Sequence, residues 1–326
     1  MKLPDPSRPL DDPEAAFDTI LSGGLDDAEI GRFLLQLAKR GETVAEIVAG
    51  ARVLRARMIS VDAPEGAIDV CGTGGDGMHT RNISTAVAII VAACGVPVAK
   101  HGNRAASSQS GAADVLSCLG LDLDLAPDRV EASIQEVGIG FLFAARHHPV
   151  MARVASVRRA LGRRTIFNLL GPIANPAGVK RQLVGVFAPG WTEPLAEALR
   201  DLGAVSASVV HGGDGLDELT VTTGSRVSSL TEAEVTTKTI TPADAGLAQH
   251  DIDAIRGGTP KENADALIRL LDGAHGGYRD ITVMNAAAAL CIAGVSGDLK
   301  SGAAKAASAI DEGAARDKLN QWRAFR

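Results

Sequence analysis

Aromatic side chains are scarce in this 326-residue sequence, 3% of positions, too few flat rings to stack the bases of a single-stranded nucleic acid. Positive charge is also in deficit. Lys and Arg number 33 against 39 Asp and Glu, a formal net charge of −6. Bulk attraction to nucleic acid or to an anionic membrane is therefore not expected, and any phosphate has to be held by local basic or dipolar groups. Cysteine is limited to Cys71, Cys94, Cys118 and Cys291, with no C-x-x-C pair. Each lies among apolar or small residues, so packed, reduced thiols of a cytosolic protein are expected, and Cys71 has no adjacent basic partner to make it a nucleophile. The first 17 residues are rich in Pro and Asp and lack the apolar core of a signal peptide. Asn82 to Ala99 is 18 residues without a charge, but Gly95-Val96-Pro97 divides it into a helix followed by a short strand, so it is not read as a membrane span. What remains, 46% hydrophobic and 22% charged, is the composition of a soluble globular chain large enough for a well-buried core. The expectation is a cytoplasmic protein with neither nucleic acid nor membrane as partner.

Between about residues 12 and 60, Leu21, Leu25, Ile30, Phe33, Leu34, Leu37, Ile47, Val48, Val53 and Leu54 recur at helical spacing. After Ala63-Pro64-Glu65-Gly66, short β-like runs alternate with Ala-rich helical stretches. Strands are predicted at Ile68–Val70, Val96–Ala99, Gln182–Phe187 and Ala207–Val210, and helices at Ser84–Cys94, Ala112–Leu119, Thr192–Leu202 and Lys261–Leu271. The fold class is α/β: a small helical N-terminal domain plus a large domain with a mostly parallel sheet flanked by helices. The helical domain is placed at residues 1–66, completed by about 150–176, and the α/β domain at 67–326. Residues 152–168, rich in Arg, read as one helical segment crossing back to the helical domain. Ser301–Arg316, rich in Ala, is expected to be helical.

Ligands of parallel sheets sit beyond the carboxyl ends of the strands, and three such ends carry chemistry. Gly72-Thr73-Gly74-Gly75-Asp76-Gly77 follows the first strand and leads through Thr80 and Asn82 to Ser84 and Thr85 at a helix start. Clustered glycines let backbone amides approach a pyrophosphate, and the helix end adds a favourable dipole; Asn82 or Ser84 suits the N-cap. Gly72, Gly74 and Gly77 formally match G-x-G-x-x-G, but the next strand ends in Lys100-His101 where a dinucleotide site needs an acid. No Gly-Lys-Ser/Thr follows, so the Walker pattern fails too. Lys100 to Gly111 forms a second strand–loop–helix unit with two cations and several small polar donors. The third end, after Val210, carries Asp217-Glu218, adjacent carboxylates of the kind that hold Mg²⁺ together with phosphate oxygens and water. Isolated acidic pairs are more often solvated turns; two phosphate loops alongside favour a metal. Of Arg158, Arg159, Arg163 and Arg164, one arginine is expected to face a substrate carboxylate. His147-His148 has no zinc-ligand spacing and is expected to line a loop.

Taken together, Asp69–Gly77, Asn82–Thr85, Lys100–Arg104, Arg164–Pro172 and Asp217-Glu218, extended by Arg256-Gly257-Gly258 and Asn285–Ala288, resemble the anthranilate phosphoribosyltransferase family over nearly the whole chain. The resemblance implies that Gly72, Gly75, Asp76, Thr80, Asn82, Ile83, Ser84, Thr85, Lys100, His101, Gly102, Asn103, Arg104, Ala105, Ala106, Ser107, Ser108 and Ala112 hold phosphoribosyl pyrophosphate. It implies anthranilate at Gly72, Asn103 and Arg158, with His101, Gly171 and Pro172 lining its route. Ser84, Asp217 and Glu218 would ligate Mg²⁺, two ions per site. No side chain is implied as a certain general acid or base; Lys100, Asp217 and Glu218 with Mg²⁺ would act electrostatically. The implied assembly is a homodimer joined through the helical domains, serving tryptophan biosynthesis. Arg81, where many relatives carry an apolar residue, and Ala144-Ala145-Arg146, where relatives often have Ala-Pro, depart from the pattern. A nucleoside phosphorylase of the same superfamily would not need Arg158 for an aryl carboxylate. A nucleic-acid-binding relative should be basic and should have lost the acidic pair.

Overall fold

Three capped helices open the chain: α1 (Pro13–Ser22), α2 (Asp27–Arg40) and α3 (Val44–Ala56). Asp12 accepts from the Ala15 amide, Asp26 from Glu29, and Thr43 exchanges bonds with Glu46 in a capping box, each satisfying amides a helix start leaves open. The computed structural model describes residues 2–105 and 109–326. The remaining elements are β1 (Ile68–Gly72), α4 (Ile83–Ala93), β2 (Val98–Gly102), α5 (Ala112–Cys118), α6 (Pro127–Ala132), β3 (Ile139–Phe143), α7 (Ala144–His147), α8 (Ala152–Leu161), α9 (Ile166–Ile173), β4 (Arg181–Gly185), α10 (Thr192–Asp201), β5 (Ser206–Gly212), β6 (Ser225–Thr231), β7 (Glu234–Ile240), α11 (Pro260–Leu271), α12 (Gly277–Ile292), α13 (Leu299–Asp311) and α14 (Ala314–Ala324).

The sheet runs β3-β2-β1-β4-β5-β6-β7. The first five strands are parallel, and β6 and β7 add antiparallel at one edge. Strand order reverses between β1 and β4, so a crevice opens at their carboxyl ends. The uncharged run read above becomes α4, buried along its length from Ala86 to Ala92 against β1, α12 and α14. A helix apolar on every face belongs either in a core or in a bilayer; this one is in the core. No helix among the described residues is long and apolar enough to cross a membrane.

On the other face, one apolar cluster runs from α1, α2 and α3 through Val154, Val157, Phe167 and Leu170 to Leu195 and Leu199 of α10 and Val184 of β4. Residues 152–170 thus pack with the N-terminal helices, but not as one helix. The chain breaks at Gly162, and α9 restarts after Thr165, whose amide donates to Asn168 Oδ1 at 3.0 Å.

Three strands escaped the sequence reading. β3 is a five-residue apolar run, too short to separate from a helix by periodicity. β6 and β7 form a Ser/Thr-rich hairpin with one face largely in solvent. β2 starts two residues later and ends three residues later than predicted, so Lys100 and His101 lie inside the strand. Cys118, expected to be packed, is exposed; Cys71 is buried, and Cys94 and Cys291 are half-buried.

Candidate functional site

A cavity of about 770 Å³ occupies the crevice. The loops after β1, β2 and β5 meet there with α8 and α9, and the glycine loop is anchored at Thr73. The Thr73 amide donates to the Gly185 carbonyl at 2.9 Å, and the Phe187 amide donates to Thr73 Oγ1 at 3.0 Å. Gly72 and Gly185 are glycine for one reason. A Cβ at position 72 would press into the Asp217 carboxylate, and one at position 185 would overlap the Asp217 carbonyl. The acidic loop therefore lies directly on two strand ends, with the Gly74 amide donating to Asp217 Oδ2 at 2.7 Å.

Asp217 and Glu218 carry mutually unfavourable charge. Burial pushes the Asp217 carboxyl up, and the charge of Asp76 pushes it further. Glu218 is raised well above the ordinary range by burial and then by Asp217, while Lys100 and the Ser84 amide pull it down. Lys100 is 1% exposed, and its Nζ donates to the Val70 carbonyl at 2.8 Å and to Ser84 Oγ at 3.2 Å. Burial lowers the Lys100 pKa, with Asp69 opposing that shift. Asp69, fully buried in β1, accepts from the His101 amide at 3.0 Å and from Asn175 Nδ2 at 2.8 Å. Asp69 and Glu218 thus share one ammonium, while Asp217 and Asp76 add negative charge beside Glu218, an excess that a divalent cation would relieve. Among the described residues no three His, Cys, Asp or Glu side chains form a complete metal cage. The donor set present, two carboxylates beside a hydroxyl, suits a cation that takes its other ligands from phosphate and water.

Asn82 sits at the start of α4, but its side chain makes no cap hydrogen bond. Its Oδ1 instead accepts from Ser110 Oγ at 3.1 Å and Asn263 Nδ2 at 2.9 Å, and its Nδ2 donates to the Ser110 carbonyl at 3.2 Å. Asn82 thus occupies the expected N-cap position without a side-chain capping bond, because its amide is taken up by these long-range partners and ties the loop after β1 to the loop after β2. The second loop is held by Asp114, which accepts from the Ala105 and Gly111 amides at 2.9 and 3.0 Å and from Arg104 at 2.9 Å. Arg104 also lies over the Phe143 ring at 5.7 Å, so its visible work is loop support.

Gly72, Gly75, Asp76, Thr80, Asn82, Ile83, Ser84, Lys100, His101, Gly102, Asn103, Arg104, Ala105, Ala112, Arg158, Gly171, Pro172, Asp217 and Glu218 all line this cavity. Thr85 does not; it is fully buried behind the loop. Ala106, Ser107 and Ser108 lie outside the described residues. Within the arginine cluster, Arg158 is half-buried and lines the cavity, and burial lowers its pKa. Arg164 is spent elsewhere: its guanidinium donates to the Gly75 carbonyl and stacks on Phe187 at 4.4 Å.

Near Gly171 and Pro172 the lining changes character. The rings of His101 and His148 lie 5.2 Å apart, both buried. Burial holds His101 well below the usual histidine range and lowers His148 to about 4. Two neutral rings beside Met151 and Ala152 make this end suitable for a flat apolar group, with Arg158 as its cation. The sequence reading missed His79, Arg81 and His148 as lining residues, since no spacing rule links them to the loops.

The chain matches the Glycosyl transferase family helical bundle domain over residues 10–58 and the Glycosyl transferase family a/b domain over residues 64–316. It is 55% identical over 322 residues to the anthranilate phosphoribosyltransferase of Novosphingobium aromaticivorans, covering 98% of both chains. To that of Rhodospirillum rubrum it is 58% identical, covering 96% of this chain and 90% of the relative. The chain belongs to the anthranilate phosphoribosyltransferase family. Among solved structures, the anthranilate phosphoribosyltransferase of Thermus thermophilus superposes with a TM-score of 0.93 at 41% identity, covering 98% of this chain and 96% of that one. The Saccharomyces cerevisiae anthranilate phosphoribosyltransferase, solved in complex with PRPP and Mg, superposes at 0.85 with 28% identity, covering 98% and 92%.

Proposed function

We propose that this chain transfers the phosphoribosyl group of phosphoribosyl pyrophosphate to the amine of anthranilate, with Mg²⁺, in tryptophan biosynthesis. The observation that carries the reading is the meeting, in one cavity, of two phosphate-type loops, the Asp217-Glu218 pair and a neutral-ring pocket ending in Arg158. The bond from ribose C1 to pyrophosphate oxygen breaks, a C1–N bond forms, and the amine loses its proton. Bound Mg²⁺ would neutralise charge building on the leaving pyrophosphate. Ser84, Asp217 and Glu218 are the ligands we assign, for two ions per site. Amides of the glycine loop and of residues 102–105 hold phosphate oxygens, and buried Lys100 keeps positive charge beneath them. Gly72 and Asn103 meet anthranilate, Arg158 pairs with its carboxylate, and His101, Gly171 and Pro172 line its route. Fixing the amine in line with C1 converts a collision into an intramolecular step.

We assign residues 1–66, completed by 150–176, as the helical domain and 67–326 as the α/β domain. We further propose a cytoplasmic homodimer joined through the helical domains. A nucleoside phosphorylase fits less well, because it gives Arg158 nothing to bind; the acidic charge and intact carboxylate pair argue against a nucleic-acid binder. The test is direct: purified protein with phosphoribosyl pyrophosphate, Mg²⁺ and anthranilate should abolish anthranilate fluorescence in step with pyrophosphate release. Phosphorolysis of a nucleoside with no consumption of anthranilate would overturn the proposal.

A further inference from the structure

We infer that Asn263 of α11, 181 residues beyond Asn82, is a positioning residue for phosphoribosyl pyrophosphate: by holding the Asn82 side chain it sets the two phosphate loops at a fixed spacing. This role rests on the reading, proposed above, that both loops hold that substrate. Along α11 the buried face carries Asn263, Ala264, Leu267, Leu270 and Leu271, so Asn263 stands where helical periodicity calls for an apolar side chain. It is 2% exposed, and a primary amide is tolerated there when its polar atoms are paired. Its Oδ1 accepts from the Gly258 amide at 2.9 Å, and its Nδ2 donates to Asn82 Oδ1 at 2.9 Å. Asn82 carries the connection onward, accepting from Ser110 Oγ at 3.1 Å and donating to the Ser110 carbonyl at 3.2 Å. Asn82, Ser110 and Gly258 line the large cavity, whereas Asn263 stands behind them.

The backbone just before α11 is fixed to the glycine loop independently of that side chain. The Arg81 amide donates to the Ile255 carbonyl at 3.0 Å and the Gly257 amide to the His79 carbonyl at 2.8 Å, around an antiparallel bridge between Thr80 and Arg256. A Cβ at position 257 would lie 2.4 Å from the Thr80 carbonyl oxygen, so the close approach requires glycine. Thr259 then caps α11, its side chain accepting from the Glu262 amide, and the helix packs on α5. The start of α11 is therefore anchored to the loop after β1, and its body to the helix that follows the loop after β2. Asn263 sits at the junction, where one amide can set the distance between the two loops.

The experiment is steady-state kinetics at saturating Mg²⁺ on the unmodified protein, Asn263→Ala, Asn82→Ala and the double variant, varying phosphoribosyl pyrophosphate and anthranilate separately. Asn263→Ala should raise KM for phosphoribosyl pyrophosphate about tenfold, the effect of one or two lost hydrogen bonds, and leave KM for anthranilate within about twofold of the parent. Because Asn263 acts through Asn82, the double variant should have the same KM for phosphoribosyl pyrophosphate as Asn82→Ala alone. A merely structural role would deplete folded molecules, lowering kcat while both KM values stay in place. An unchanged KM for phosphoribosyl pyrophosphate, with or without a fall in kcat, would overturn the inference. So would an equal rise in KM for anthranilate, or single-variant effects that multiply in the double variant. If Asn263→Ala does not fold, Asn263→Ser, which keeps a hydroxyl of shorter reach, carries the same expectations and the same overturning results. Turnover by the unmodified protein tests the reaction itself, so a failure of that reading shows in the parent and a failure of the Asn263 assignment only in the variants.

Discussion

A methyl group at position 185 would have to share space with the Asp217 backbone carbonyl, so Gly185→Ala can fold only by moving the acidic loop. A displacement of about 1 Å near reacting groups costs on the order of 10²-fold in rate. Turnover of Gly185→Ala should fall by that factor, and overpacking should lower stability by about 1–3 kcal/mol, both measurable by steady-state assay and denaturant titration. His148 gives a prediction of opposite origin. Burial lowers its folded pKa to about 4 from an ordinary value near 6.5, so the unfolded chain takes up the proton first. Its contribution to stability is complete above about pH 6.5 and is lost as pH falls towards 4, about 3 kcal/mol in all. His148→Gln should flatten the pH dependence of the denaturation midpoint over that window. An unchanged slope would show that another group controls acid unfolding.

At the scale of elements, α12 restrains the acidic loop from behind. Asn285, fully buried, accepts from the Leu219 amide at 3.0 Å and donates to the Leu219 carbonyl at 2.8 Å. It thereby fixes the backbone one residue past Glu218. Asn285→Ala leaves both groups of Leu219 buried and unpaired, a loss of about 2–4 kcal/mol. The distinguishing expectation is that apparent Mg²⁺ affinity also weakens in the fraction that remains folded, read by activity against Mg²⁺ concentration. The start of α4 works similarly. Asn82 joins β1's loop to Ser110 and Asn263, so the loops after β1 and β2 are tied to each other.

For the molecule as a whole, the proposed substrate and metal should stabilise the native state by mass action. At about 100 times its dissociation constant, phosphoribosyl pyrophosphate with Mg²⁺ adds about 2.7 kcal/mol, seen as a raised thermal midpoint. Paired replacement Asp217→Asn with Glu218→Gln should remove the Mg²⁺-dependent part of that shift. It should leave the ligand-free protein no less stable, because burial and mutual repulsion already disfavour the two charges. A full shift in the double variant would remove the acids from the metal site.

The sequence alone settled the α/β class, the helical start, the glycine loop, the second basic loop and the acidic pair, because each is written in contiguous residues whose local physics is strong: glycine clusters, apolar periodicity, adjacent carboxylates. It could not show that Asn82 is a tie between loops, that Lys100 lies within a strand under Ser84, or that His148, Arg81 and Asn285 belong to the same neighbourhood. Nor could it show that Arg158 faces the cavity while Arg164 clasps Gly75. Those facts depend on partners 16 to 181 residues apart, brought together when the sheet reverses its strand order between β1 and β4. Chain neighbours are fixed by covalent spacing. Neighbours across the crevice are fixed only by how helices and strands bury their apolar faces.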